Sequence, residues 1–306
     1  MIALTGATGF IGSYLLRELI RAGYRVRVLL RRPTELGESC TSAVIGDLGR
    51  PINMAAALAG VDTIIHSAGL SSPMTGAPES DFRLLNAEAT GNLARAAERA
   101  GVRRFIFLSS VRAQADVSAN DPLTEDLPPA PTDAYGRSKL LAEQQLAELS
   151  LDWVALRLPL VFGPGVKGNM ATLLKLARSP FPLPFGGLRA QRSLISLENL
   201  LSAVTLLLGS HEALRRPLIA ADPTPLTIPE MIAAMRAGLG RRPAVVPLPG
   251  AALKAALRIT GRPALYRRLA EPLVASPARL MQMGWNPTVP TRDALAALAR
   301  TDSQTR

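Results

Sequence analysis
The first twenty residues constrain this chain more than any other stretch. Ile2-Ala3-Leu4 is a short apolar run that leads into Thr5-Gly6-Ala7-Thr8-Gly9-Phe10-Ile11-Gly12. Ser13 to Ile20 comes next, with apolar residues at helical spacing. Strand, glycine turn and helix in immediate succession are the context in which a glycine fingerprint holds a dinucleotide. Gly6 permits the tight turn, Gly9 leaves the backbone bare for a pyrophosphate to approach, and Gly12 lets the helix pack close to the strand. The helix N-terminus adds free N–H groups and the positive end of its dipole.

The alternation continues. Residues 25–30, 43–45, 61–65, 104–108 and 153–158 read as strands, and residues 51–59, 79–100 and 134–149 as helices. Strands alternating with helices predict an α/β fold, a Rossmann-type doubly wound parallel sheet covered on both faces. Asn120 to Thr132, rich in Pro and Asp, reads as a loop. After Gly163-Pro164-Gly165 the alternation fades, and most prolines lie beyond it. Residues 193–208 read as a short strand and a helix returning to the core. The expected organisation is therefore a dinucleotide-binding domain of residues 1–165 plus about 193–211. A smaller, mostly C-terminal substrate lobe takes residues 166–192 plus about 212–306.

Composition narrows the function classes. No apolar run approaches the length of a membrane-spanning helix, and no basic, apolar leader precedes the first strand, so a cytoplasmic protein with no membrane partner is expected. Cys40 is the only cysteine, and His66 and His211 are far apart, so no metal site is expected. The net charge of +11 comes mostly from scattered arginines, with no long basic run and only 4% aromatic residues for base stacking. No nucleic-acid partner is expected.

Tyr135-Gly136-Arg137-Ser138-Lys139 opens a helix with Tyr and Lys at i, i+4, on one face. An ammonium there favours the phenolate and draws the Tyr pKa toward working pH, as general acid–base chemistry requires. Ser110 lies 25 residues upstream at a strand end. With the glycine turn, this set resembles the extended short-chain dehydrogenase/reductase superfamily, over nearly the whole chain. The resemblance implies a catalytic triad of Ser110, Tyr135 and Lys139. In it Tyr exchanges a proton with the substrate oxygen, Ser hydrogen-bonds that oxygen, and Lys binds the nicotinamide ribose and tunes the Tyr.

Further segments extend the resemblance. Gly6, Thr8, Gly9, Phe10, Ile11 and Gly12 match its phosphate turn, and Asp47-Leu48 its adenine-binding pair. His66-Ser67-Ala68-Gly69 resembles the segment under the cofactor, which implies contacts from Ser67, Ala68 and Gly69 and a packed rather than catalytic His66. Asn86 matches the Asn of the long helix that supports the active site. Arg157 to Gly165 resembles the segment beside the nicotinamide, with Pro159 and Val161 as contacts. Members that prefer NAD carry an acid at the end of the second strand. Here Leu30 is followed by Arg31 and Arg32, which suit a 2′-phosphate, so NADP is expected, with NAD as the alternative.

The substrate lobe resembles that of UDP-sugar enzymes, most of all bacterial UDP-4-keto-sugar reductases and 4-epimerases of polysaccharide synthesis. Lys167-Gly168-Asn169, Pro182-Leu183-Pro184-Phe185-Gly186 and Arg192-Ser193 occur in the order found there. That implies diphosphate contacts from Asn169 and Arg192, uracil contact from Phe185, and further substrate contacts from Ser71, Ser110 and Arg268. Nucleotide-sugar 4,6-dehydratases place an Asp-Glu pair just after the Ser/Thr of the triad, where this chain has Val111-Arg112, so dehydration is not expected. Two alternatives stay open: a ketone reductase of the dihydroflavonol-reductase type, and a non-catalytic NADP-binding or regulatory protein. A homodimer through residues 79–100 and 134–149 is implied by the resemblance alone.

Overall fold
A computed structural model of the chain describes residues 1–37, 39–50, 52–70, 76–248, 251, 254, 258–259 and 263–304. The chain divides into two compact units. Unit 1 comprises Met1–Asp116, Glu125–Leu158 and Ala203–Ile219; unit 2 comprises Val117–Thr124, Pro159–Ser202 and Ala220–Arg306.

Unit 1 is built on a seven-stranded sheet. Its strands are β1 (Ile2–Thr5), β2 (Val26–Leu30), β3 (Thr41–Val44), β4 (Thr63–His66), β5 (Arg104–Ser110), β6 (Asp152–Leu158) and, later in the chain, Arg216–Ile219. The order is β3-β2-β1-β4-β5-β6 and then Arg216–Ile219, and every pairing is parallel. Such strands are buried on both faces, so they read as apolar runs rather than alternating ones. The burial of every residue of β1, β4 and β5 reflects this. One face carries Phe105, Phe107, Ile64 and Ala155 against Leu93, Ala97, Ala142 and Leu146 of the covering helices.

The helices of unit 1 are α1 (Phe10–Arg21), α2 (Met54–Leu58), α3 (Glu79–Phe82), α4 (Ala89–Arg99) and α5 (Ala134–Ala147). Residues 79–100 do not form one uninterrupted α-helix. Arg83–Glu88, between α3 and α4, is π-helical. The wider turn takes in one extra residue and turns Asn86 into the interior, where it is 1% exposed.

Several expected boundaries move: residues 117–124 and 159–165, expected in the first domain, lie in unit 2. Arg216–Ile219, expected in the smaller lobe, is the seventh strand of the unit 1 sheet, because Leu218 and Ile219 pair with Leu156 and Arg157. Residues 193–202, expected in the first domain, lie in unit 2. There β7 (Leu160–Phe162) pairs in parallel with β9 (Leu194–Ser196), which does not join the large sheet. Between them in sequence, β8 (Gln191–Arg192) pairs antiparallel with Leu226–Thr227. Buried Asn199 then holds the start of the next helix, α7 (Leu197–Gly209), in unit 2. Its amide donates to Asp222 Oδ1 and Val289 O, both at 2.8 Å, and its oxygen accepts from the Thr288 and Val289 N–H groups. Within unit 2, α6 (Gly168–Ala177), α8 (Ile228–Gly238) and the C-terminal helix Thr291–Gln304 enclose an apolar core of Leu173, Leu174, Ile232, Met235, Leu295 and Leu298.

Candidate active site
The turn after β1 is a cradle that β-carbons would fill. Gly6 has φ +72°, and a Cβ there would lie 2.7 Å from Ala68 N. A Cβ on Gly12 would lie 2.1 Å from Gly6 O, so the helix presses on the turn at a distance only glycine allows. The Gly9 N–H closes the turn onto Gly6 O at 2.9 Å. Gly9 is also the N-cap of α1, with no side-chain cap, which leaves first-turn amides to a ligand or solvent. Such a helix end suits a pyrophosphate. Thr8 is exposed beside it, while Phe10 and Ile11 are half-buried.

A hydrogen-bond chain runs from this turn to the next strand end. The Thr90 hydroxyl donates to Asn86 O at 2.6 Å, so it accepts from His66 Nε2 at 2.9 Å. His66 Nδ1 is then the bare nitrogen and accepts the Thr5 hydroxyl at 2.7 Å. Thr5 Oγ1 in turn accepts the Ser67 and Ala68 N–H groups, each at 3.2 Å. The fully buried ring is held neutral, its pKa pushed down to about 3 by desolvation first and by the Lys139 charge second. His66 thus fixes the Ser67-Ala68-Gly69 turn as a hydrogen-bonded spacer. Asn86 secures the residue after that turn: Oδ1 accepts Leu70 N–H at 2.7 Å, and Nδ2 donates to Leu70 O and Ser138 Oγ, both at 3.1 Å. A Cβ on Gly69 would meet Asn86 Oδ1 at 2.7 Å.

Ser110 ends β5, and Tyr135 and Lys139 lie on α5. Asp133 caps α5 by accepting Gly136 N–H at 2.7 Å, and its other oxygen takes Arg112 Nη2 at 2.6 Å. Gly136 lets this first turn sit against Arg112, since a Cβ there would be 2.2 Å from Arg112 O. Tyr135 is half-buried, edge-on to Phe82 and near the Ser110 hydroxyl, which itself donates to Leu158 O at 3.4 Å and accepts Arg112 N–H at 3.2 Å. Its phenol stands above the ordinary value, contrary to the expected lowering. Desolvation dominates; the Ser110 hydroxyl and the Arg112 charge pull downward, and Asp133 pushes up. Lys139 is turned inward, donating Nζ to Leu108 O at 2.9 Å and lying 4.5 Å over the Phe107 ring. Burial pushes its ammonium down to about 8, against an upward pull from Glu143. A neutral phenol, a hydroxyl beside it and a buried amine one turn along can hold an oxygen and pass it a proton.

Residues 2–219 match the model of the NAD dependent epimerase/dehydratase family. The chain belongs to that family. Among curated relatives, UDP-glucose 4-epimerase of Vibrio cholerae is 30% identical over 297 residues, 94% of this chain and 90% of that protein. Among solved structures, MoeE5 in complex with UDP-glucuronic acid and NAD is 25% identical with a TM-score of 0.77, over 100% of this chain and 99% of that one. UDP-glucuronic acid 4-epimerase from Bacillus cereus in complex with NAD has a TM-score of 0.79 at 19% identity, over 100% of this chain and 97% of that one, a likeness of fold. This is an enzyme of the NAD-dependent epimerase/dehydratase family, and its sheet and glycine cradle fit a dinucleotide.

The remaining expected site residues divide between the units of this family member. In unit 1, Arg31 and Arg32 are exposed just beyond β2. Asp47 is exposed, with Oδ1 accepting Gly49 N–H at 2.8 Å, and Leu48 packs on the core. Pro159 and Val161 are half-buried and belong to unit 2. So do Asn169, exposed in the first turn of α6, and Phe185, half-buried against the unit 2 core. Arg192 carries a structural load that its sequence context does not show. Its Nη1 donates to Glu271 O at 2.8 Å and its Nη2 to Val117 O at 3.0 Å, tying three segments of unit 2 together. Arg268 lies in the helix Pro263–Ala270, and Ser71 lies outside the described residues. Among the described residues no three of His, Cys, Asp and Glu gather where they could hold a metal ion, and no helix is long and apolar enough to cross a membrane.

The motifs give no individual role to Thr5, Thr90, Ser109, Glu143 and Arg157. The first two are the hydroxyls of the His66 chain. The others form a buried ion pair with a hydroxyl, directly behind Lys139 in sequence and register. One signal points to Glu143: it continues the Tyr135 and Lys139 spacing by another four residues.

Proposed function
We propose that the protein is a NADP-dependent oxidoreductase acting at C4 of a UDP-hexose, reducing a 4-keto sugar or interconverting 4-epimers. The observation that carries this is the Ser110 hydroxyl, close enough to Tyr135 to pull its pKa down, with Lys139 buried one helical turn along. When bound, the nicotinamide supplies the hydride, and the protein's own residues manage the oxygen. Tyr135 gives its hydroxyl proton to the oxygen at C4, which Ser110 also holds. The phenolate left behind stands near the Ser110 hydroxyl and the Arg112 charge, both of which favour it.

The cofactor sits, in this reading, on the Gly6–Gly12 cradle, with Asp47, Leu48, Ser67, Ala68, Gly69 and Asn86 along it and Pro159 and Val161 at its nicotinamide end. The exposed Arg31 and Arg32 would hold a 2′-phosphate. NAD is named with the related structures, so the preference for NADP rests on these two arginines. In unit 2 the start of α6 at Asn169, together with Phe185 and Arg192, would take the UDP moiety. A relative of similar length named UDP-glucose 4-epimerase and a neighbour holding UDP-glucuronic acid support that substrate class. The same reading carries a cytoplasmic enzyme and a homodimer packed through α3, α4 and α5, which sedimentation velocity checks.

The test incubates the protein with NADPH or NADH and a panel of UDP-4-keto-hexoses and UDP-hexoses, tracking absorbance and product. Oxidation of NADPH with a UDP-4-keto-hexose is expected. Tyr135→Phe should lower turnover by about 10²–10⁴ while leaving cofactor binding intact. Arg31→Ala with Arg32→Ala should weaken NADPH and spare NADH. Reduction of non-nucleotide ketones with no turnover of any nucleotide sugar would reject the assignment.

A further inference from the structure
The catalytic face of α5 is longer than its motif. Tyr135, Lys139 and Glu143 stand at i, i+4 and i+8, one above another. The end of β5 meets them with three consecutive residues. The Ser110 hydroxyl lies near Tyr135, Leu108 O accepts the Lys139 ammonium at 2.9 Å, and Ser109 Oγ donates to Glu143 Oε1 at 2.6 Å. From β6, Arg157, the register partner of Ser109, closes on the same carboxylate. Its Nε lies 3.2 Å from each oxygen and its Nη2 is 2.7 Å from Oε2. Both side chains of this pair are 5% exposed.

A fully bonded buried ion pair is often no more stabilising than apolar residues of the same volume. Stability alone therefore does not account for Glu143. The neighbouring charges do. Lys139 interacts with the charge of Glu143 on α5 and with His66 on β4, Tyr135 stands one turn before it on α5, and Arg157 of β6 holds Glu143; the π-helical turn and α4 contribute neutral Asn86 and Thr90. His66 and Tyr135 are neutral, so Glu143 is the one anion in that set, set against two buried cations. We propose that Glu143, clamped by Arg157 and Ser109, is a positioning residue that keeps Lys139 in place and in its charged form. The inference rests on the catalytic reading of Lys139 given above.

The upward pull of Glu143 on the Lys139 pKa, which stands at about 8, agrees with this role. The chain has four lysines, at 139, 167, 175 and 254, so ¹³Cε NMR of labelled protein resolves their titrations, with Lys139→Arg assigning the signal. In Glu143→Gln the Lys139 titration should fall by about one pH unit, a tenfold change in its acid constant, while the other three stay put. The alkaline limb of the pH–rate profile should move down with it. Glu143→Asp, which keeps the charge, should restore most of both. Should Glu143→Gln fail to fold with Arg157 left unpaired, Glu143→Gln with Arg157→Gln replaces both charges by amides that can bond each other. Lys139 should again titrate lower. A folded variant of either kind whose Lys139 titrates as in the wild type would overturn the proposal. The NMR titration needs no substrate, so it stands or falls apart from the UDP-sugar reading.

Discussion
The two helices that serve the candidate site begin in opposite ways. α1 starts at Gly9, in extended backbone, with no side chain on its first-turn amides. α5 starts at Asp133, whose carboxylate takes both the Gly136 amide and the Arg112 guanidinium. An open helix end can receive an anion, and its dipole favours one. A closed end has committed that capacity to a side chain, and in return fixes the first turn, here the turn that carries Tyr135. One unit thus leaves one helix end open to an anion and closes another to hold a side chain still. The difference lies in a single cap residue at each end.

Substitutions can erase that contrast in either direction. The largest effect should come from Gly12→Ala. Its Cβ would fall 2.1 Å from a backbone carbonyl that cannot swing away, so the α1 end must move off the turn. Overpacking of this kind costs about 1–3 kcal/mol or more. Thermal unfolding should show the loss, and titration by NADPH fluorescence should show no measurable cofactor binding. Next, Gly9→Asp would close the open end as α5 is closed. The backbone there, at φ −86°, accepts any residue, and the new Cβ meets Gly6 O at a tight 3.2 Å. Stability should change little, but a carboxylate standing where the phosphates bind should weaken the cofactor by roughly 2 kcal/mol, some thirtyfold. Gly9→Ser, a neutral cap, should weaken it less; equal affinity in all three proteins would show that the α1 end does not receive the phosphates. The smallest effect is expected from Asp133→Ala, which opens α5. Loss of a cap costs about 1 kcal/mol, visible as a lower Tm. Turnover should fall more than cofactor affinity, because the freed turn carries Tyr135.

Much of the first unit could be read from local pattern. The glycine turn at 6–12, the apolar runs of β1, β4 and β5, and the i, i+4 placement of Tyr135 and Lys139 all depend on residues a few positions apart. Steric limits and helical periodicity act at that range, so the strands and helices fall close to where they are expected. Features that depend on partners distant in the chain had to await the tertiary structure. Arg216–Ile219 is a sheet strand because it pairs with the edge of β6, and β9 lies outside that sheet, paired with Leu160–Phe162. Arg192 donates to carbonyls 75 and 79 residues away. The direction of the Tyr135 shift reverses the expectation because burial, a property of everything packed around a group, outweighs the charges beside it. Glu143 acquires its meaning only when Ser109 and Arg157 arrive from two other strands. Sequence determined which residues could share a face; tertiary packing decided what lies opposite that face, and so the charge each residue carries there.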